Sequence, residues 1–272
     1  MTHSGSLPAR RRAGKVGQSE KRAGVSQMHA GVRWPEIRRA LWDWLLPPHC
    51  LVCAAALMAS PPICAACRAD LPRNPWACVR CGLPLPAGDA GRACGRCLRR
   101  PPPQSGCVVP FVYADPVDRL LTALKFGGDL AAGRLLGELL VDALGHGALR
   151  AQTDLLVPLP LHRQRLRDRG YNQVQELLRP LAAHWRLPQR HDLLRRQRAT
   201  APQSDLNAGQ RRKNLRGAFA VVGDVRGARV LLVDDVITTG TTVAEAARLL
   251  QAAGAAEVRV LAVARVPKRS AG

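Results

Sequence analysis

Residues 230–242, VLLVDDVITTGTT, run from four apolar side chains through two adjacent carboxylates into threonine hydroxyls grouped around one glycine. Few folds accommodate that order. ARVLLVDD (228–235) is continuous rather than alternating, so it reads as a strand buried on both faces. Asp234 and Asp235 are expected at its carboxyl end, followed by turn residues 237–241 and a helix over 242–253 that Gly254 stops. Consecutive backbone N–H groups at such a junction make an anion-binding concavity, and Gly240 lets a phosphate approach closely. Two carboxylates beside that cradle repel a bare phosphate but suit the vicinal hydroxyls of an attached sugar. The chemistry therefore points to a sugar phosphate. The plainer alternative is an acidic strand end followed by a threonine-rich helix cap.

The neighbouring sequence supports an α/β architecture. CVVPFVY (107–113) reads as a strand, 116–126 and 130–145 as helices interrupted by Gly127-Gly128, and DLLVPL (154–159) as a second strand. Residues 172–187 read as a helix and EVRVLAVAR (257–265) as a last strand. Strands alternating with helices predict a parallel sheet flanked by helices, with ligands at the carboxyl ends of its strands. Between the second strand and its helix, 159–171 is expected to be a strand-end loop. It carries Arg163, Arg165, Arg167 and Arg169 in alternation, then Gly170. Guanidinium forks suit pyrophosphate oxygens, whereas a solvated basic face is the bland alternative.

Eight of the nine cysteines fall into four C-x-x-C pairs: Cys50/Cys53, Cys64/Cys67, Cys78/Cys81 and Cys94/Cys97. Each such turn presents two sulfurs to one ion, and two turns close a tetrahedral site. In chain order the pairs make two structural Zn2+ sites, with gaps of 10 and 12 residues. Spacing alone leaves a cross-braced pairing open. A disulfide framework finds no support in an export signal, and a redox pair would need only one C-x-x-C. Cys107 is expected to be a small buried hydrophobe.

Formal net charge is +21, from 41 Lys+Arg against 20 Asp+Glu, which favours polyanionic partners such as nucleic acid or phosphorylated small molecules. Residues 160–216 hold much of it, with 14 basic against 4 acidic residues, +10 in all. Residues 1–28 read as a disordered basic tail without an apolar signal core, and Met28 is an alternative start. WPEIRRALWDWLL (34–46) suits a short helix, in an expected helical segment over 29–47. The stretch from Leu41 to Ala59 is too interrupted by Asp43, Pro47-Pro48 and His49 to enter a membrane, so a cytoplasmic location is expected. RRPPPQSG (99–106) reads as a linker. Aromatic residues are 4%, few for stacking single-stranded bases, and Trp76 and Tyr171 are the only ones in the cysteine and arginine-loop regions.

VLLVDDVITTGTT resembles the phosphoribosyl pyrophosphate (PRPP) signature of the type I phosphoribosyltransferases. VPLPLHRQRLRDRGYNQ (157–173), LKF (124–126) and RATAPQSDLNAGQRRKNLRGAF (198–219) narrow the resemblance to the ComF family, including its GntX-like members, and cover residues 41–266. The resemblance implies a double zinc ribbon over 48–98 and a phosphoribosyltransferase domain over 107–272. It implies that Asp234 and Asp235 bind the ribose 2′- and 3′-hydroxyls in a catalytic role. Thr238, Thr239, Gly240, Thr241 and Thr242 would hold the 5-phosphate, and Arg169, Gly170, Asn172 and Gln173 would serve the pyrophosphate side, with Mg2+ bound alongside PRPP. The implied activity is phosphoribosyl transfer to an unknown acceptor, associated with DNA uptake and competence. A catalytically silent PRPP-binding adapter that handles single-stranded DNA with uptake-machinery proteins is the alternative. A zinc-ribbon transcription factor would leave the sugar-phosphate motif unused.

Overall fold

The strand Arg229–Ile237 explains the architecture, because its residues alternate between two apolar layers. The computed structural model describes residues 48–58, 60–198 and 217–268. The basic tail, the helix expected within 29–47 and most of the 198–219 motif lie outside these residues. Seven strands are described: β1 (Gly106–Val108), β2 (Phe111–Val112), β3 (Leu155–Pro158), β4 (Leu194–Arg196), β5 (Phe219–Val221), β6 (Arg229–Ile237) and β7 (Glu257–Arg265). The main sheet runs β1-β7-β6-β3, with β2 also on β7, and every pairing in it is parallel. Leu231 and Val233 face one core and Val230 and Leu232 the other, as the two-residue period of a strand requires.

The first layer is formed by helices α3 (Val117–Phe126), α4 (Leu130–Leu144) and α7 (Gln173–Trp185), which bury Leu121, Leu136, Leu177 and Trp185. The second is formed by α8 (Thr241–Ala252), with Val243, Ala246, Ala247 and Leu250 buried, and by Leu194 and Phe219 of the antiparallel β4–β5 pair. Burial on both faces is why residues 230–233 of β6 and 260–264 of β7 read as apolar runs.

Three expectations change. The strand expected over 107–113 is two strands, broken at Val109-Pro110. Pro110 has no N–H to give the ladder, and the Val109 and Pro110 carbonyls accept bonds from Asn74 instead. The loop expected over 159–171 contains helix α6 (Arg163–Arg169), started by His162 Nδ1 accepting from the Gln164 N–H and stopped at Gly170. Finally, Asp234 and Asp235 lie within β6, which continues to Ile237 because Val236 and Ile237 still pair with Ala264 and Arg265.

The cysteine-rich segment packs on the sheet. Its short helices α1 (Ala65–Ala69) and α2 (Gly95–Arg99) begin directly after Cys64 and Cys94. Cys50, Ile63 and Leu71 join the first core, and the Cys107 N–H donates to the Val79 carbonyl at 2.8 Å. Residues 99–106 are pinned: Gln104 is buried with its amide on the Arg80 carbonyl, and the Ser105 hydroxyl donates to Glu257 at 2.6 Å. The remaining helix, α5 (Ala148–Ala151), precedes β3.

Candidate active site and metal centres

The carboxyl ends of β3 and β6 open into a cavity of about 870 Å3. Of the residues singled out in the sequence, Asp234, Asp235, Thr238, Thr242, Arg169 and Gln173 line it. Arg165, read in the sequence as one of four alternating arginines, lines it too, as do Lys125 and Arg196, which were not among those candidates. In a helix, residues four apart share a face, so α6 turns Arg165 and Arg169 toward the cavity together. Read as a loop, the alternation of arginines concealed that grouping. Lys125 had a weak signal: it stands in the LKF motif and is one of only five lysines.

Asp235 is buried. Its carboxylate accepts from Gln173 Nε2 at 2.7 Å and lies 3.0 Å from Lys125 Nζ, which ties α3 and α7 to β6. Arg169 in turn donates to Gln173 and lies over the Phe126 ring. Asp234 is half-buried, and its Oδ1 accepts from the Asp235 N–H at 2.9 Å. Burial, and then the charge of Asp235, push the Asp234 carboxyl up to about 7, while Lys125 and Arg196 pull the other way.

The loop after β6 turns through Gly240, whose φ of +78° favours glycine, into the N-terminus of α8. The Thr239 and Thr241 hydroxyls lie 2.9 Å apart and share a hydrogen bond. A helix N-terminus of this length with backbone N–H groups at its mouth attracts anions. Asn172 does not line the cavity. It is buried, with Nδ2 on the Leu159 carbonyl at 3.1 Å and Oδ1 accepting from the Val174 N–H at the start of α7. Gly170, Thr239, Gly240 and Thr241 do not line it either. Cys107 is buried, and burial raises its thiol pKa.

The eight paired cysteines form two clusters, Cys50/Cys53/Cys64/Cys67 and Cys78/Cys81/Cys94/Cys97, with all sulfurs in each within 4.8 Å of one another. Cys53 and Cys64 sulfurs are 3.8 Å apart, as are those of Cys81 and Cys94. A tetrahedron with zinc–sulfur bonds of ~2.3 Å has edges of ~3.8 Å, so the donor sets fit zinc. The grouping is sequential rather than cross-braced. Backbone N–H groups of Cys64 and Cys94 point at the sulfurs of Cys50 and Cys78. Among the described residues, no helix is long and apolar enough to cross a membrane.

A parallel sheet flanked by helices, following an N-terminal segment with two four-cysteine clusters, defines a type I phosphoribosyltransferase fold preceded by a double zinc ribbon. Family models agree: a double zinc ribbon domain matches residues 41–98, and a phosphoribosyl transferase domain matches residues 192–271. The chain is 39% identical over 185 residues to the DNA utilization protein YhgH of Escherichia coli O157:H7, covering 66% of this chain and 81% of that one. It is 34% identical over 178 residues to Competence protein F of Haemophilus influenzae, covering 63% of this chain and 78% of that one. Competence protein ComFC of Streptococcus pneumoniae is 28% identical over 155 residues, with 57% and 66% covered. The chain belongs to the ComF family.

Proposed function

We propose that the protein binds PRPP and transfers its phosphoribosyl group to an acceptor. The observation that carries this reading is one cavity lined by Asp234, Asp235, Thr238 and Thr242 together with Arg165, Arg169 and Arg196. The Thr238–Thr242 segment would hold the 5-phosphate by backbone N–H groups and hydroxyls. Asp234 is the carboxylate left for a ribose hydroxyl, since Asp235 is engaged by Lys125 and Gln173. Arg165 and Arg169 would face the pyrophosphate and stabilise charge as it leaves. Mg2+ bound with PRPP would supply further neutralisation of the pyrophosphate, and Asp234 offers an oxygen donor of the type this cation takes. Arg169 and Gln173 act together, while Asn172 would position α7. Relatives named for DNA utilization and competence support an association of this activity with DNA uptake.

A second reading, a silent PRPP-binding adapter for single-stranded DNA, is favoured by one observation. A neighbouring groove of about 620 Å3 is lined by Arg163, His191, Arg195 and Arg196, and it shares Arg196 with the first cavity. Titration calorimetry with PRPP and Mg2+, followed by an assay for pyrophosphate release with candidate nitrogen acceptors, tests both. Binding with turnover supports transfer; binding without turnover supports the adapter; no binding rejects both.

A further inference from the structure

Arg265, the last residue of β7, is 4% exposed. Its guanidinium donates to four carbonyls. Nε donates to Cys81 at 3.1 Å, and Nη1 donates to Ile237 at 2.8 Å, to Val266 at 2.9 Å and to Thr238. A guanidinium does not shed its proton, so a charge buried this way needs compensation nearby. With a divalent ion bound, the four thiolates of Cys78, Cys81, Cys94 and Cys97 would supply it, because such a cluster keeps a net negative charge.

One end of Arg265 thus grips the second cysteine cluster, and the other grips the carbonyls that open the Thr238–Thr242 loop. The cluster end is fixed. The Gly82 N–H donates to the Cys78 carbonyl at 2.8 Å, and a side chain at Gly82 (φ +70°) would come within 2.4 Å of Val109. Asn74 bonds both the Gly82 and Val109 carbonyls. The Cys81 carbonyl is therefore placed by a turn that metal binding closes and that the edge of the sheet holds. Among the described residues the first cluster shows no such connection: it packs through Cys50 and Ile63 into the other core, and Arg68 beside it pairs with Asp142 of α4.

We propose that Arg265 is a positioning residue that couples metal occupancy of the second cysteine cluster to anion binding at the Thr238–Thr242 loop. The anion-binding half rests on the PRPP reading above. Coupling between sites is reciprocal, so PRPP should hold the second metal ion as firmly as that ion holds the loop.

The test begins with a measurement that needs no PRPP: hydrogen exchange of amides 237–242 in the whole chain. A Cys94→Ser/Cys97→Ser variant and Arg265→Met should both speed exchange there by about tenfold, within the usual range of coupling. A Cys53→Ser/Cys64→Ser variant should leave those amides unchanged. Arg265→Lys, which keeps the charge but loses the fork, should fall between wild type and Arg265→Met. In calorimetry, Arg265→Met should bind PRPP with Mg2+ about tenfold more weakly, and PRPP should slow chelator release of one zinc ion of the two in wild type but not in this variant. If Arg265→Met does not fold, chelator-treated wild type compared with the first-cluster variant decides. Unchanged loop exchange on loss of the second cluster overturns the proposal, as does equal loosening from either cluster. A loop that responds in a protein binding no PRPP rejects the PRPP reading and leaves the coupling standing.

Discussion

Lys125 Nζ lies 3.0 Å from the Asp235 carboxylate, and the pair joins the end of α3 to the carboxyl end of β6 with Asp235 buried. Gln173 completes the arrangement from α7. Two helices of the first layer, α3 and α7, therefore meet the sheet at the cavity through one carboxylate. Asp235 is structural here as much as chemical.

Lys125→Met should destabilise the protein by roughly 2–4 kcal/mol, because it leaves a buried carboxylate without its cation. Adding Asp235→Asn should recover part of that loss, since the uncompensated charge goes with it. Urea unfolding of the two variants measures the difference. Asp235→Asn alone would leave Lys125 without its partner and so carry a structural cost of its own. Asp234→Asn is the cleaner probe of PRPP binding, and it should lower affinity by roughly 1.5–3 kcal/mol, the scale of a hydrogen bond to a charged acceptor. Equal affinity in that variant would remove Asp234 from the site.

Asp234 also predicts a pH dependence. Its carboxyl is raised to about 7 in the folded chain, against about 4 unfolded. The unfolded chain gives up this proton first, so the group's contribution to stability falls as pH rises from about 4 to about 7. Asp234→Asn should match wild type near pH 4 and be the more stable at pH 8, by at most about 4 kcal/mol and by less to the extent that water screens this half-buried group, in thermal melts without ligand. PRPP binding should run the opposite way, because the charged carboxylate accepts the ribose hydroxyl. Wild-type affinity should rise about tenfold from pH 6 to pH 8 and stay flat in the variant. A stability difference that does not vary with pH would mean Asp234 titrates normally.

The α/β pattern was legible because β6 and β7 are long, carry apolar runs and each follow a glycine turn; Glu257–Arg265 is the expected strand. The four C-x-x-C pairs were legible because two sulfurs on one turn are a local feature, and the clusters they form follow chain order. What was not legible depended on tertiary contact. The break at Pro110 makes sense only with Asn74 beside it, and β4 and β5 are three-residue strands too short to carry a period. Lys125 and Arg196 reach the cavity from elements distant in sequence, and Arg265 reads as one more residue of an apolar strand until its carbonyl partners are seen.

Metal analysis in reducing buffer should find two zinc ions per chain. Both clusters have tetrahedral spacing and N–H groups aimed at their sulfurs. Loss of the first ion should expose Cys50, Ile63 and Leu71, which sit in the core beside α4, and lower the melting temperature. Intact mass showing four disulfides and no metal would reject the assignment.

Single-stranded DNA should bind weakly and without sequence preference. Arg163, Arg195 and Arg196 line the groove beside the cavity, Arg165 lies inside the cavity, and Arg167 is exposed on the same helix. Arg211 and Arg212, which the same basic stretch would add, lie outside the described residues. Phosphate contacts release counterions, so log affinity should fall linearly with log salt, by about 0.7 per phosphate. Arg163→Ala/Arg195→Ala should reduce that slope by about 1.4 if each residue meets one phosphate, and leave PRPP affinity unchanged. Arg196 lines both spaces, so PRPP should compete with the strand rather than assist it. The basic tail adds +5 of its own, so the salt series should be repeated on a chain starting at Met28. Binding that survives there, keeps its slope and yields to PRPP assigns the strand to the groove. Binding lost with the tail, or indifferent to the two arginines, would leave the groove without a role in DNA.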